Sequence, residues 1–464
     1  MTPPRRRILI TNIGLTSRTG TEIVTRDLAF AFLDAGHSPM VYTPAPGVVG
    51  EQIRARGIPV VEDLARLAWA PEVIHGHHHQ ETIQAVQFFP RVPALFVCHD
   101  RHAWHDEPPL HPCIRRWVAV DANCLERLRE HSWIEERRAL VVHNAVDLDR
   151  FRPRPPLDER PRRALIFSNY AAAGGYVEAV REACRRRELS LDVIGSGVGN
   201  ACAEPESVLG AYDLVFGKAR CALEAMAAGL AVVLCDVAGL GPMVTSGELE
   251  RLHEWNFGAR LLTQRLDPAN IVRQIDRYDP RDAACVTAWI RAHAGVREAA
   301  ARYLALYAEM LQEPAPGHEP ASRYPATRRL GRIHQALLGV RHSGCPDRVA
   351  PGEALTVPVE VSNFTGIPVA TSPPCPALLL ARWVSNIDGR RVIADAARGI
   401  LQPPVAPWRG GCYKLRVVAP REAGDYRLRV TLMQEGWRYL DQFTPRVYAD
   451  ARVLVGDSPE STRP

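Results

Sequence analysis

Three side chains capable of binding and proton chemistry lie close together in the sequence: Lys218, Arg220 and Glu224. Two cations beside a carboxylate suit a ligand that carries both phosphate and hydroxyl groups. All but two of the 57 basic residues are arginine, so a lysine at position 218 indicates a need for a compact ammonium group. The simpler alternative is a solvated lysine next to an Arg220–Glu224 ion pair one helical turn apart, worth about 0.3–0.5 kcal/mol.

The surrounding pattern places these side chains at a ligand-binding edge. Residues 213–216 and 231–235 are apolar runs that predict buried strands, and residues 219–228 are rich in helix formers and end at Gly229. Two strands joined by a helix predict a parallel βαβ unit. The three side chains then lie at a strand's carboxyl end and a helix N-terminus, where open α/β sheets bind anions through cations and free N–H groups.

Composition limits the classes of function. Hydrophobic residues make up 46% and charged residues 23% of the 464 residues, which is typical of a globular protein with about three domains. The net charge of +5 is spread along the chain and does not indicate nucleic-acid binding. Eleven cysteines without CxxC spacing indicate reduced thiols and a cytoplasmic location. Neither a signal peptide nor a spanning helix is predicted, so any membrane contact is expected to be peripheral, at the inner face.

The fold predicted from the chain order is two tandem α/β domains, each with a doubly wound parallel sheet, followed by an antiparallel β-sandwich. Strands alternate with helices through the first two thirds of the sequence, whereas beyond Gly344 strands follow one another without helices. The predicted segments are an N-terminal acceptor-side domain at 1–155, a donor domain at 156–312, a linker at 313–343 and the sandwich at 344–457.

Histidines and aromatic residues supply further candidates. His99 follows a predicted strand and is expected to face the cleft between the first two domains, unless it is a structural residue in a polar rim. On an extended strand His75, His77 and His79 would share one face, but zinc ligands normally come from separated elements, so no metal site is predicted. Five sandwich aromatics suit sugar stacking, although a core position is the more common use of such residues. They are Trp383, Trp408, Tyr413, Trp437 and Tyr439.

Several segments together resemble GT-B glycosyltransferases, particularly family 4, over residues 1 to about 312. The segments that carry the resemblance are 18–22 (RTGTE), 34–37 (DAGH), 73–77 (VIHGH), 97–100 (VCHD), 142–147 (VHNAVD), 193–197 (VIGSG) and 223–229 (LEAMAAG). The sandwich lies outside the match and loosely resembles immunoglobulin-like accessory domains of bacterial carbohydrate enzymes.

This resemblance implies two Rossmann-like domains and transfer of a sugar from a nucleoside-diphosphate donor, with retention of configuration and without a metal or other cofactor. The implied catalytic residues are His99 and Glu224, of which Glu224 contacts the donor's ribose. The resemblance implies Gly20, Gly195, Ser196 and Glu224 as donor-binding residues, and the position of Lys218 and Arg220 adds these two cations. The expected partners are a nucleotide sugar and a glycan or lipid-linked acceptor in cell-surface polysaccharide synthesis.

The sequence departs from the family's pattern in two places. Phe216 stands where family 4 usually carries a first Glu, and residues 167–175 lack the cations that usually hold the diphosphate. We expect Lys218 and Arg220 to take over that role, together with N–H groups at Gly174 and Gly175. Two alternatives remain: a catalytically degenerate protein that binds a glycan or a partner, and a nucleotide-sugar epimerase.

Overall fold

The computed structural model describes residues 4–172, 174–314, 330, 334, 336–372, 376–385, 392–434, 438–440 and 447–456. It divides into two compact units. The first comprises residues up to 77, 91–101 and 114–315, and the second comprises 78–90, 102–113 and the rest of the chain. Most of the predicted linker, residues 315–329, 331–333 and 335, lies outside the described residues, and the predicted domain limits stay predictions.

The first unit begins with a seven-stranded parallel sheet, within a stretch that the structure describes without a break. Its strand order, β3-β2-β1-β4-β5-β6-β7, reverses between β1 and β4, which makes a crevice at the carboxyl ends of these two strands. The strands are β1 Arg7–Thr11, β2 Ser38–Tyr42, β3 Val60–Val61, β4 Val73–His77, β5 Ala94–Cys98, β6 Ile114–Ala119 and β7 Ala139–Val141. The helices of this series within the first unit are α1 Gly20–Asp34, α2 Gly47–Ala55 and α4 Ala122–Arg129, whereas α3 His79–Phe88 belongs to the second unit.

A second sheet follows in the same unit, with the order β12-β11-β10-β8-β9. Its order reverses between β8 and β10, and only the edge strand β12 is antiparallel among the strands described there. The strands are β8 Arg163–Phe167, β9 Ser190–Ile194, β10 Leu214–Gly217, β11 Ala231–Asp236 and β12 Gly239–Met243. The helices are α5 Tyr176–Arg186, α6 Pro205–Val208, α7 Ala219–Ala227, α8 Leu249–Glu254, α9 Pro268–Ile275, α10 Pro280–His293 and α11 Val296–Gln312. The predicted Rossmann-like plan is therefore confirmed for both series.

The pattern of residues 283–311 predicts one continuous helix, but this prediction is wrong, because the helix is interrupted at Gly295. There the backbone is extended and pairs with Val146, whose N–H donates to Ala294 O at 2.8 Å and whose carbonyl accepts from Val296 N at 3.0 Å. A Cβ on Gly295 would lie 2.0 Å from the carboxylate of Glu298, so a larger residue here would require the Glu298 side chain to move. The break sets α11 against α1 of the first series, where Tyr307 packs on Phe32.

The second unit contains two mostly antiparallel sheets that share one apolar core, as the sandwich prediction requires. One sheet has the order β13-β15-β18 and the other β14-β21-β19-β16-β17, with β20 paired to β19. The strands are β13 Leu338–His342, β14 Arg348–Val349, β15 Ala354–Asn363, β16 Ala377–Ser385, β17 Val392–Ile400, β18 Arg409–Val418, β19 Gly424–Gln434, β20 Arg438–Tyr439 and β21 Tyr448–Val455.

The aromatic side chains of the sandwich divide between core and surface. Trp383 is buried and donates from Nε1 to Val418 O at 2.8 Å, and Tyr413 is also in the core, whereas Trp408 is 66% exposed. Trp437 and the side chain of Tyr439 lie outside the described residues. The core interpretation therefore holds for Trp383 and Tyr413. Within the described parts of both units, no helix is long and apolar enough to cross a membrane.

Candidate functional site

The site lies at the carboxyl ends of strands from both sheets of the first unit. His99 directly follows β5, and Arg220 and Glu224 occupy the first two turns of α7, which directly follows β10. His99 and Arg220 both border a small cleft, which has a volume of about 20 Å³ for water-sized molecules. The cleft is lined by Val24, Asp27, Leu28, His99, Val120, His143, Asn144, Ala145, Arg220, Val296, Ala299 and Tyr303. The two sheets therefore contribute to one concave site.

Arg220 is the central charge of this cleft. Its Nε donates to Glu224 Oε1 at 2.8 Å, and its guanidinium also bonds to Asp27 on α1. Its side chain is only 11% exposed, and the two carboxylates are 7% and 2% exposed. Arg26 completes the network by bonding to the other oxygen of Asp27 at 2.6 Å. Two buried guanidinium groups and two buried carboxylates thus neutralise one another and join α1 to α7.

Burial and pairing shift the titration of this network in a consistent way. Burial raises the pKa of Glu224, while the Arg220 charge opposes that rise. Burial works against the charged form of Arg220, but the carboxylates of Asp27 and Glu224 outweigh it and raise the Arg220 pKa. The guanidinium therefore stays charged, and its charge limits the rise in the pKa of Glu224.

Lys218 directly precedes α7 and has an ion-pair partner outside the Arg220 network. Its Nζ is 3.1 Å from Asp236 Oδ2 at the end of β11 and 5.1 Å from the ring centre of Tyr170. The Lys218 side chain is 24% exposed, whereas that of Asp236 is 2% exposed. The sequence predicts free N–H groups at the start of α7. This prediction is wrong for Ala219, whose N–H donates to Phe257 O at 2.8 Å.

The glycine-rich turn after β9 packs tightly against the turn after β8. A Cβ on Gly195 would lie 1.9 Å from the Ser168 carbonyl, so only glycine fits. Ser196 is exposed, and its N–H donates to Asn169 Oδ1 at 3.2 Å. Tyr170, beneath Lys218, belongs to the same turn. Lys218, Ser196 and the first turn of α5 therefore surround the reversal point of the second sheet, a position that favours phosphate.

Gly20 begins α1, and the space where its Cβ would lie is open. The loop before it is held by Glu22, whose carboxylate accepts from the N–H groups of Thr16, Ser17 and Thr19 at 3.1, 2.7 and 3.2 Å. Thr19 and Glu22 have the spacing of a capping box, and Glu22 caps the start of α1 in this way. Of the predicted site residues, all of which the structure describes, His99 and Arg220 line this cleft, whereas Gly20, Gly195, Ser196, Lys218 and Glu224 do not.

Imidazoles and phenols line the ends of the first sheet's strands. His77 Nδ1 lies 2.7 Å from His99 Nε2, and His75 Nδ1 lies 2.6 Å from the hydroxyl of Tyr307 on α11. Burial lowers the pKa of His75 to about 3, with a smaller effect from His99. His75 is therefore neutral at physiological pH. The expectation that His79 extends the strand is wrong, because His79 is the first residue of α3.

Sequence reasoning missed Asp27, which opposes Arg220 in the cleft. A signal was present: Asp27 follows Val24 by three residues and precedes Leu28, so it lies on the apolar face of α1, where an unpaired acid is costly. Tyr303 and Tyr307 were also missed, since their contacts depend on the break at Gly295. His143 and Asn144 lay within a segment of the predicted resemblance, but no role was assigned to them.

No protein-family model and no curated protein matches this sequence. Solved structures do match. A glycosyltransferase from Rickettsia africae ESF-5 is 13% identical and covers 67% of this chain and 100% of its own, with a TM-score of 0.50. Anabaena Alr3699/HepE, solved in complex with UDP and glucose, is 14% identical and covers 66% and 100%, with a TM-score of 0.47. A UDP-N-acetylglucosamine 2-epimerase is 13% identical and covers 67% and 99%, with a TM-score of 0.41.

At these identities the likeness concerns the fold alone. The N-terminal two thirds of the chain have the GT-B fold of the Rickettsia glycosyltransferase. Membership of family 4 stays a prediction.

Proposed function

We propose that this protein is a glycosyltransferase that moves a sugar from a nucleoside-diphosphate donor to a glycan or lipid-linked acceptor. The observation that carries the proposal is the joint cleft, in which His99 from the first sheet and Arg220 from the second border the same space. A transferase needs two substrates side by side, and two facing α/β domains supply one wall for each.

The donor side of the proposed reaction uses the second sheet. As the bond at the anomeric carbon breaks, negative charge develops on the leaving diphosphate, and preorganised cations and N–H groups stabilise that charge. Lys218 is the proposed phosphate cation, because it is partly exposed and lies at the sheet's reversal point. Arg220 is the proposed second cation, and Glu224 the proposed acceptor of the ribose hydroxyl groups. Gly174 and Gly175, which precede α5, supply further N–H groups.

The acceptor side uses the first sheet. His99, in contact with His77, is proposed to bind the transferred sugar or the acceptor hydroxyl. We extend the proposal to retention of configuration, to independence of a metal in the transfer step, and to a cell-surface glycan as product, as the resemblance implies. The cytoplasmic location and peripheral membrane contact expected from the sequence also stay predictions.

The test is thermal melting of the purified protein against a panel of nucleoside diphosphates and nucleotide sugars. Ligand at about 100 times its Kd stabilises the folded state by about 2.7 kcal/mol, which raises the Tm measurably. We expect one nucleotide to stabilise the wild type, and Glu224→Ala to abolish that shift. Glu250→Ala, at an exposed position on α8, is the matched control and should keep the shift. Sugar transfer or donor hydrolysis is then assayed with the nucleotide so identified.

A second candidate is a GT-B protein that binds a glycan without turnover. Two observations favour it. Phe216, at the position of the family's first Glu, is fully buried. Arg220 is already paired with two carboxylates of the chain itself. Absence of any nucleotide-dependent shift, combined with a shift on addition of oligosaccharides, would establish this candidate in place of the transferase.

A further inference from the structure

Three potential metal ligands converge in the second unit, at the start of α3. They are His78, the residue that precedes the helix, and His105 and Asp106 from a 3₁₀ turn, Trp104–Asp106. His78 Nδ1 lies 3.9 Å from Asp106 Oδ1, and His105 Nε2 lies 3.7 Å from Asp106 Oδ2. The two imidazole ring centres are 4.8 Å apart, at an angle of 76°. Two nitrogen ligands and one carboxylate thus come from two separated segments.

These distances suit ligands that share an ion better than direct hydrogen bonds. A hydrogen bond between an imidazole and a carboxylate measures about 2.7–3.2 Å. Two ligand atoms bound at about 2.1 Å to the same zinc ion with a tetrahedral angle lie about 3.4 Å apart. The observed 3.7 and 3.9 Å reach that value through a small movement of each side chain.

Two of the three candidate ligands are buried. The side chains of His78 and Asp106 are each 1% exposed, whereas that of His105 is 33% exposed. A buried carboxylate is retained when it is paired or bound to a metal. Two imidazoles with one carboxylate are also a donor set that divalent transition metals prefer, and zinc is the foremost of these.

The segments that carry the ligands are held in place independently of any ion. The Glu107 carbonyl can only accept, so His79 must donate to it from Nδ1, at 2.9 Å, which ties the first turn of α3 to the 3₁₀ turn. Trp104 packs on Leu378 and Leu380 of the sandwich. His78 has a φ of 64°, which is unfavourable for a residue with a side chain and orients its ring within the cluster. A preorganised set of this kind favours metal binding.

We propose that His78, His105 and Asp106 form a binding site for one divalent transition metal ion, with Zn²⁺ as the expected occupant. Three protein ligands leave a fourth coordination position, and the partial exposure of His105 gives that position access to solvent. The proposal replaces the sequence-based expectation of no metal, which considered the histidines at 75, 77, 78 and 79 but not His105 or Asp106. It goes beyond the proposed sugar transfer and does not depend on it, because the test measures metal binding itself.

The experiment uses the full-length protein stripped with EDTA and titrated with Zn²⁺ and with Co²⁺. The wild type should bind one Zn²⁺ per chain with a rise in Tm, and Co²⁺ should produce visible absorption bands of a nitrogen and oxygen site. His105→Ala and Asp106→Asn should each weaken binding by at least about 100-fold, since loss of a supporting residue alone costs 10–100-fold. His293→Ala, at an exposed position in α10, should bind as the wild type does.

Two variants keep the result interpretable. Asp106→Asn preserves shape, and His105 is exposed enough for alanine to be tolerated, so at least one variant is expected to fold; circular dichroism of the metal-free proteins checks this. Metal binding that survives in both folded variants overturns the proposal. So does a wild type that binds no ion, or one whose Co²⁺ spectrum shows thiolate charge transfer, because a cysteine site would then be responsible.

Discussion

The two sheets of the first unit place different chemistry at equivalent positions. At the strand ends of the first sheet lie imidazole and phenol rings, with His75 bonded to Tyr307 and His77 bonded to His99. At the strand ends of the second sheet lie full charges, namely Arg220 between Asp27 and Glu224, and Lys218 beside Asp236. Both groups are largely buried.

The difference follows from the partners that buried rings and buried charges each need within the protein. Neutral rings tolerate burial when they have hydrogen-bond partners, whereas buried charges require countercharges. A rim of neutral donors and acceptors suits uncharged sugar hydroxyl groups, and cations suit a diphosphate. In the proposed reaction, the first sheet therefore suits the acceptor and the second sheet suits the donor. Three predictions test this difference between the sheets.

The largest effect is expected from Arg220→Met, which removes the charge between two buried carboxylates. Asp27 and Glu224 are then left close together without the guanidinium, and breaking a buried pair in this way costs about 3–5 kcal/mol. Urea unfolding followed by circular dichroism measures the loss. The control is Arg251→Met, since Arg251 is 55% exposed and pairs with Glu248 at 2.6 Å, and its loss should cost less than about 1 kcal/mol. Equal losses in the two variants would show that the buried charges of the second sheet contribute no more to stability than an exposed ion pair does.

A smaller effect on the free energy of unfolding is expected from lowering the pH, because His75 is buried as a neutral ring. Its pKa is about 3 in the folded protein, lowered by burial, against 6.5 as the ordinary value. Between these values the unfolded chain binds the additional proton, so stability is complete above pH 6.5 and declines as the pH falls. From pH 6.5 to pH 5 this one group lowers the free energy of unfolding by about 1.5–2 kcal/mol.

The variant His75→Asn removes this titration and can preserve the contact with Tyr307. We expect a shallower dependence of unfolding free energy on pH than in the wild type, whereas His293→Asn, at an exposed position, should leave the slope as it is. Identical slopes for His75→Asn and the wild type would show that His75 is not held neutral by burial.

The smallest effect on stability is expected from Lys218→Gln. Asp236 keeps the Val237 N–H at 2.6 Å and the Ser168 hydroxyl at 3.4 Å, so its carboxylate is not left alone, and we expect a loss of about 1 kcal/mol. Lys414→Gln, the chain's other lysine and exposed on β18, should change stability by less than about 0.5 kcal/mol. If Lys218 is the phosphate cation, nucleoside-diphosphate binding falls far more than stability does. A loss of several kcal/mol with unchanged nucleotide binding would instead mark it as a structural charge.

The sequence by itself determined the local elements and the chemistry at their ends. Continuous apolar runs predict buried parallel strands, and α7 lies at Ala219–Ala227 against a predicted 219–228. The position of Glu224 one turn after Arg220 also follows from helix periodicity, and their bond is observed at 2.8 Å. These features depend on neighbours within a few residues, so pattern and propensity are sufficient to predict them.

Only the tertiary structure decided which side chains meet across the fold. Asp27 bonds to Arg220 from 193 residues away, and His75 bonds to Tyr307 from 232 residues away. Both contacts depend on where the chain turns, as at Gly295, where pairing with Val146 ends one helix and redirects the next. Local sequence does not encode such distances, because packing of whole elements sets them. The charge balance of the cleft, and the meeting of His78 with Asp106, were therefore visible only in the folded molecule.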